Sequence, residues 1–396
     1  MLFTLERHEA LLAQPWDAAR AQAWIDRIVA GAEAAYVPGQ GWPAHPLDCA
    51  ETAPLRGLYF GDCGVLWALH CLQARGAVRL RRDYLADLDG LQGLEQGEEG
   101  SYLMGETGVL LLRTWLQPED SGALRLAELI EGNLEHPTRE LMWGSPGTML
   151  AAVFLHRATG EAGWAEQFTR TARKLWSQLL WSDEEQCHYW MQNLYGHRST
   201  YLDAVHGFVA TAAAVIAGRD LLTPAEWQAW SDCIVNAVLR TAEWEGPLVN
   251  WRAQLASPRG GPKLMQYCHG APGFVACLAD SPDPALDPLL RAAGEATWRA
   301  GPLRKGANLC HGTGGNGYAF LKLHRRFGDA FWLERARAFA MHGIAQVESA
   351  RTQYGQWRHS LWTGDPGFAL YLLDCVRETD RFPTLDYFRP PRQESS

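Results

Sequence analysis

Two short stretches carry the residue types best suited to hold a soft metal and to move protons. "QYCHGAPGFVACL" sets Cys268 and His269 directly before a glycine, and "NLCHGTGGNGYAFL" repeats that order at Cys310 and His311, 42 residues further on. Sulfur and imidazole nitrogen suit Zn²⁺, and two thiolates with one imidazole would leave a fourth position for water or substrate, as in catalytic zinc sites. There is no C-x-x-C pair, and a single Cys-His dipeptide is ordinarily core. The recurrence is what makes the pair informative.

The two stretches belong to a larger pattern. Gly-x-x-Gly followed by an apolar run occurs at Gly61, Gly105, Gly144, Gly270, Gly312 and Gly364, and "VHGFVATAAAVI" at Gly207 is a seventh copy with Ala210 in place of the second glycine. Two residues before the first glycine stand Tyr59, Leu103, Met142, Val205, Cys268, Cys310 and Trp362. One residue before it stand Phe60, Met104, Trp143, His206, His269, His311 and Thr363. Apolar bulk is the commoner occupant, and thiol plus imidazole replaces it only in repeats five and six. Consecutive repeats are neighbours in space, so Cys268 and Cys310 are expected to converge. His269 and His311 are equivalent in the repeat, which leaves the third ligand open between them.

The motifs are 44, 39, 63, 63, 42 and 52 residues apart, each interval long enough for two helices and their connections. Between them lie amphipathic stretches such as Gly163 to Trp181, where Phe168, Ala172, Leu175 and Leu179 recur at helical spacing. The stretch from Trp332 reads in the same way, and alternating strand patterns are scarce. The expected fold is all-α, with each glycine loop entering a buried helix and leaving its first amides open. Seven such pairs can stack as an open solenoid or close as an α/α toroid; the lack of polar capping repeats favours closure, with all glycine loops on one face. The segments Tyr36 to Gly57 and Ala256 to Lys263 are expected as long rim loops. Residues 1–388 read as one domain and 389–396 as a disordered tail.

With 396 residues, a net charge of −9 and no basic stretch, the chain offers no footprint for nucleic acid or an anionic membrane surface. Glu6, Arg7, His8 and Glu9 interrupt the N-terminus where a signal peptide needs an apolar core, and no run of eighteen apolar residues occurs. The expectation is a cytoplasmic protein. Nine cysteines without tight even spacing predict buried, reduced thiols rather than a disulfide framework.

"YCHGAPG", "LCHGTGGNGYAFL" and the seven glycine-marked repeats together resemble the lanthionine synthetase C-like (LanC-like) family over nearly the whole chain. The resemblance implies an α/α toroid of seven helix pairs with zinc bound by Cys268, Cys310 and His311, and His269 outside the ligand set. It implies addition of a thiol to dehydroalanine or dehydrobutyrine in a peptide or protein. His206 matches the family histidine proposed for acid/base work, and Glu140 falls where bacterial cyclases of the family carry an aspartate. Asp203, three residues before His206, could share a helical face with it or serve as a cap. Lys305 matches a lysine of the glutathione-using members and Arg358, more loosely, a C-terminal arginine of that group; both would contact carboxylates or a phosphorylated leaving group. "CHGAPG" rather than a Cys-Tyr-Gly form inclines the resemblance toward members in which glutathione is the thiol donor.

Two other readings compete. The eighteen tryptophans could line the sugar cleft of a carbohydrate-active α/α toroid. A non-catalytic zinc- or glutathione-binding scaffold would hold its metal in a closed four-ligand site.

Overall fold

The computed structural model describes residues 1–48, 55–84, 100–118 and 122–390. In chain order its helices are α1 (Ala18–Ala35), α2 (Asp62–Ala74), α3 (Glu106–Leu116), α4 (Ala123–Gly132), α5 (Ser145–Thr159), α6 (Ala162–Ser177), α7 (Phe208–Ala217), α8 (Pro224–Thr241), α9 (Ala271–Leu278), α10 (Asp287–Ala300), α11 (Thr313–Phe327), α12 (Ala330–Tyr354) and α13 (Asp365–Arg377). The first glycine of every motif is the N-cap of α2, α3, α5, α7, α9, α11 or α13. These seven are apolar on most sides, as in "FVATAAAVIA" of α7, and are buried accordingly. The remaining six lie outside and bury one stripe; in α6 that stripe is Trp164, Phe168, Thr171, Ala172 and Leu175.

The inner helices pack in sequence order, and α13 returns to pack against α2, so the ring is closed. Backbone hydrogen bonds between the loops trace the same circuit. Tyr59 N–H donates to Leu103 O (3.0 Å), Leu103 to Met142 (3.4 Å), Cys268 to Cys310 (3.0 Å), Cys310 to Trp362 (2.9 Å) and Trp362 back to Tyr59 (3.2 Å). The protein is an all-α toroid. Its outer helices run α4, α6, α8, α10 and α12, with α1 packed on α13 and α12; the interval from α2 to α3 includes 85–99, outside the described residues.

Glycine serves this architecture mainly by having no Cβ. Six of the N-cap glycines have extended backbone, and only Gly270, at φ 123°, needs a conformation closed to other residues. At the second glycine a Cβ would strike the carbonyl oxygen six residues back: 2.1 Å at Gly64, 2.1 Å at Gly147, 2.0 Å at Gly273, 1.8 Å at Gly315 and 1.9 Å at Gly367. With Gly108 at 2.4 Å, six of the seven inner helices therefore start pressed against their own incoming loops, and α7 alone carries an alanine, Ala210, at this position.

The two 63-residue intervals hold elements that helical periodicity does not announce. α6 ends at Ser177, and Leu180–Ser182 (β1) pairs with Cys187–Tyr189 (β2), so the helical reading of Gly163 to Trp181 runs past the helix end. Gln192–Leu194 (β3) pairs with His197–Ser199 (β4), and Glu243–Glu245 (β5) with Leu248–Asn250 (β6). Strands of three residues are too short to show alternation. The loop from Ala256 to Lys263 is tied down at Glu243, which accepts from Gly260 N–H and Lys263 Nζ, each at 2.8 Å. Of the segment from Tyr36 to Gly57, residues 49–54 lie outside the described residues.

The C-terminal segment after α13 fills the middle of the ring. Phe382 stacks on Tyr267, Tyr102 Oη donates to Thr384 O (2.6 Å) and Trp67 Nε1 to Phe388 O (2.8 Å). Pro390 is buried, and the rest of the expected tail, 391–396, lies outside the described residues. Among the described residues no helix is long and apolar enough to cross a membrane.

Candidate functional site

The residue two before each N-cap glycine lies in the hydrogen-bonded circuit of loops, and the next residue is half-buried at the mouth of the ring in every repeat but the seventh, where Thr363 is buried. Consecutive loops therefore bring Cys268 and Cys310 together, coupled by the bond between Cys268 N–H and Cys310 O. Their sulfurs and a ring nitrogen of His311 all lie within 4.8 Å of one another; both cysteines are buried and His311 is half-buried. Tetrahedral zinc, with Zn–S of about 2.3 Å and Zn–N of about 2.0 Å, holds such ligands roughly 3.5–3.8 Å apart. The donor set fits the ion after small side-chain closure, and it is the one such group among the described residues.

His269 is directed elsewhere. Its Nδ1 lies 2.7 Å from Asp203 Oδ2, within ion-pair distance, while Asp203 Oδ1 accepts from the amides of Val205 (3.0 Å) and His206 (2.8 Å). Asp203 is thus a cap and at the same time the partner of His269. Burial alone would lower the imidazole pKa, but the Asp203 carboxylate prevails and raises it above its ordinary value.

The same construction recurs one repeat earlier. Glu140, fully buried, accepts from Met142 N–H (2.9 Å) and Trp143 N–H (2.5 Å), and its Oε2 lies 2.8 Å from His206 Nδ1. Burial again opposes protonation of His206, yet the bond and charge of Glu140, helped by Asp203 and Cys310, hold its pKa above 6.5. With Nδ1 engaged, Nε2 is the nitrogen left for chemistry.

All eight described cysteines are free and buried. Burial pushes the thiols of Cys63, Cys71, Cys277 and Cys375 up, and Cys268 with them. Cys310 is held below the ordinary range, by a hydrogen bond from the Cys268 thiol against the cost of burial, then by His311 and the Tyr59 hydroxyl. Thiolate character is what a metal ligand requires.

Lys305 and His311 line one cavity of about 680 Å³, with Arg304, Glu9, His342 and Arg358 around it. Lys305 is exposed there. Arg358 is clamped: both arms of its guanidinium meet the Asp48 carboxylate, Nε at 2.9 Å, and its backbone N–H donates to Asp365. The N-terminal segment reaches this cavity, with Glu9 N–H donating to Pro302 O (3.0 Å) and the Glu9 carboxylate 2.7 Å from His342 Nε2.

Sequence reading missed Tyr59, Gln266 and Glu9. Tyr59 touches the Cys310 sulfur and Gln266 Nε2 lies 2.9 Å from the Cys268 sulfur. A signal existed for Gln266: four residues before the N-cap glycine the repeats carry Gly57, Ser101, Glu140, Asp203, Gln266, Asn308 and Ser360. Ser101, Glu140, Asp203 and Asn308 all cap the amide three residues on. Glu9 had none, because its contacts are 293 residues and more away along the chain.

The sequence profile of the family described as "Lanthionine synthetase C-like protein" matches residues 2–387. A LanC-like protein GCL1 from Arabidopsis thaliana is 34% identical over 148 residues, covering 34% of this chain and 32% of its own. A Glutathione S-transferase LANCL1 from Danio rerio is 34% identical over 139 residues, 32% of either chain. The chain thus spans about a third of the length of these relatives. Nisin cyclase superposes with a TM-score of 0.62 at 14% identity, over 92% of this chain and 98% of that one, which is a likeness of fold. With its profile met along almost its entire length and a closed ring of glycine-capped helices beneath, the chain belongs to the lanthionine synthetase C-like family.

Proposed function

We propose that the protein adds a thiol to dehydroalanine or dehydrobutyrine in a peptide or protein, with zinc at Cys268, Cys310 and His311. The observation that carries this reading is the meeting, on adjacent loops of one ring, of a three-donor metal group and a buried carboxylate–imidazole pair, Glu140–His206. Bound there, zinc would lower the pKa of an incoming thiol so that a thiolate is present near neutral pH. The sulfur forms a bond to the β-carbon, the alkene π pair moves toward the α-carbon and its carbonyl, and protonated His206 gives its proton to the α-carbon. The proton lost by the thiol balances the one gained by carbon, so thiol and alkene become thioether. Glu140 holds His206 in orientation and favours its charged form.

The three described donors leave a coordination position open, which supports catalysis over a closed scaffold site. The carbohydrate reading rests on the tryptophans, and half of the eighteen, Trp67, Trp251, Trp332 and Trp362 among them, are buried core residues with no surface to offer a sugar. Lys305 beside His311 supports glutathione as donor, through its carboxylates. Arg358, held to Asp48 through Nε and Nη2, lines the same cavity and would present its remaining Nη1 to a donor's carboxylate.

The test is incubation of a dehydroalanine peptide with the zinc-loaded protein, with and without glutathione, followed by mass. Addition of one glutathione, or ring closure in a cysteine-containing peptide, is expected. His206→Asn should keep zinc and slow addition by about 10²–10⁴-fold. An unchanged rate would remove His206 from this role.

A further inference from the structure

The hairpin β3–β4 turns through two residues, Tyr195 and Gly196, with φ of 53° and 75°. Positive φ at both positions is the mirror-image turn that Asn-Gly or Gly-Gly adopts readily and a bulky L residue does not. The tyrosine gains little from burial either, since it is 64% exposed. Neither backbone preference nor packing accounts for an aromatic ring at this tip, and a conformational outlier beside a reactive site is a reason to ask about function.

The ring lies edge-on to Trp143, with centroids 6.4 Å apart at 89°, and its hydroxyl oxygen accepts from Trp143 Nε1–H at 3.4 Å. It lies 5.8 Å from the His206 ring at 82°. The base of the hairpin is fixed by the very loops that carry Glu140 and His206. Arg139 Nη1 donates to Met191 O (2.6 Å), Asn193 N–H to Pro137 O (2.9 Å), Tyr201 N–H to Gln192 Oε1 (2.7 Å), and Gln192 Nε2 to the His206 carbonyl. The tip is therefore held in register with the imidazole. In the position where repeats four to six carry His206, His269 and His311, repeats one to three carry Phe60, Met104 and Trp143, each half-buried beside a buried neighbour. Three of the seven equivalent positions are thus apolar and consecutive, and Tyr195 joins the end of that arc to His206.

We propose that Tyr195 and Trp143 form the positioning and specificity surface for the electrophilic peptide, taking an apolar side chain next to the dehydro residue and holding the alkene at His206. This rests on the thioether-forming reading above. An apolar neighbour loses contact with water favourably against these rings, whereas a carboxylate there meets no cation among Phe60, Met104, Trp143 and Tyr195, and only the Trp143 indole N–H and the Tyr195 hydroxyl as donors, too few to replace its hydration.

The experiment uses two dehydroalanine peptides that differ only in Leu or Asp before the dehydro residue, and saturated analogues with Ala in its place. The Leu peptide is expected to react with a kcat/KM about tenfold higher, mostly through KM. Tyr195→Asn should erase the preference while zinc content is unchanged and Tm is equal or higher, because asparagine suits the turn; Tyr195→Phe should keep the preference. Binding of the saturated Leu peptide, by calorimetry, should weaken in Tyr195→Asn. An intact preference and intact binding in Tyr195→Asn, or a wild-type protein that does not discriminate in either assay, would overturn the proposal. If no dehydro peptide reacts at all, the thioether reading fails, and the binding arm alone decides the surface.

Discussion

Repeats one to three and repeats four to six share one loop geometry and differ in what they place on it. In both halves the N-cap glycine starts an inner helix and the backbone joins the circuit of loops, and in repeats two, three, four and six a polar side chain caps the amide before that glycine. Leu103 and Met142 fill the register that Cys268 and Cys310 occupy, and Met104 and Trp143 the register of His269 and His311. The scaffold thus fixes positions to within a hydrogen-bond length, and chemistry enters by exchanging side chains at positions already fixed. The capping position shows it most economically: Ser101 meets only backbone, capping Met104 N–H and donating to Met142 O (2.6 Å), whereas Glu140 and Asp203 cap and also engage an imidazole.

The comparison can be broken most sharply at the cysteine register. Cys310→Ala is expected to abolish both zinc binding, by metal analysis, and thiol addition, while Leu103→Ala, the same position in repeat two, should cost about 2–5 kcal/mol of stability and leave the zinc in place. Retention of metal by the first variant would sink the ligand assignment. Next in size is the shared scaffold itself. Gly315→Ala forces a Cβ against the Leu309 carbonyl at 1.8 Å and should destabilise by about 3 kcal/mol in denaturant titration, whereas Gly163→Ala, with open space around it in an outer helix, should be neutral or better.

The smallest effect sharpens the carboxylate–imidazole half. Folding raises the His206 pKa above 6.5, so its protonated form and the stability it brings are fully present below that value and are lost as pH rises through the folded pKa. The alkaline limb of kcat is expected above pH 6.5. Glu140→Gln, which keeps an acceptor for the amides, should move that limb to lower pH and reduce the rate by about tenfold near neutrality. A limb that stays in place would show that Glu140 does not hold the proton on His206.

Much of this molecule could be read from its residues. The glycine motif marks the inner helices because at its second position, in six of the seven copies, a Cβ would strike the chain's own carbonyl, a local constraint that leaves a local signature; α7, with Ala210 there, is marked by its first glycine alone. The pairing of Cys268 with Cys310 followed from register, since adjacent repeats place equivalent residues side by side. The hairpins of the two long intervals were not legible: three-residue strands carry no period, and the turn at Tyr195 goes against the preference by which such turns are recognised.

What the sequence determined by itself, then, is whatever repeats: the number of inner helices, the loop that starts each, and which residues share a register. The tertiary structure alone decided the contacts that break that symmetry. Ring closure depends on Trp362 meeting Tyr59 across the whole chain, and the difference between His269 and His311 depends on which of them has a carboxylate of another loop within reach. Equivalent residues carry equivalent local preferences, so only their unlike neighbours in space can give them unlike work.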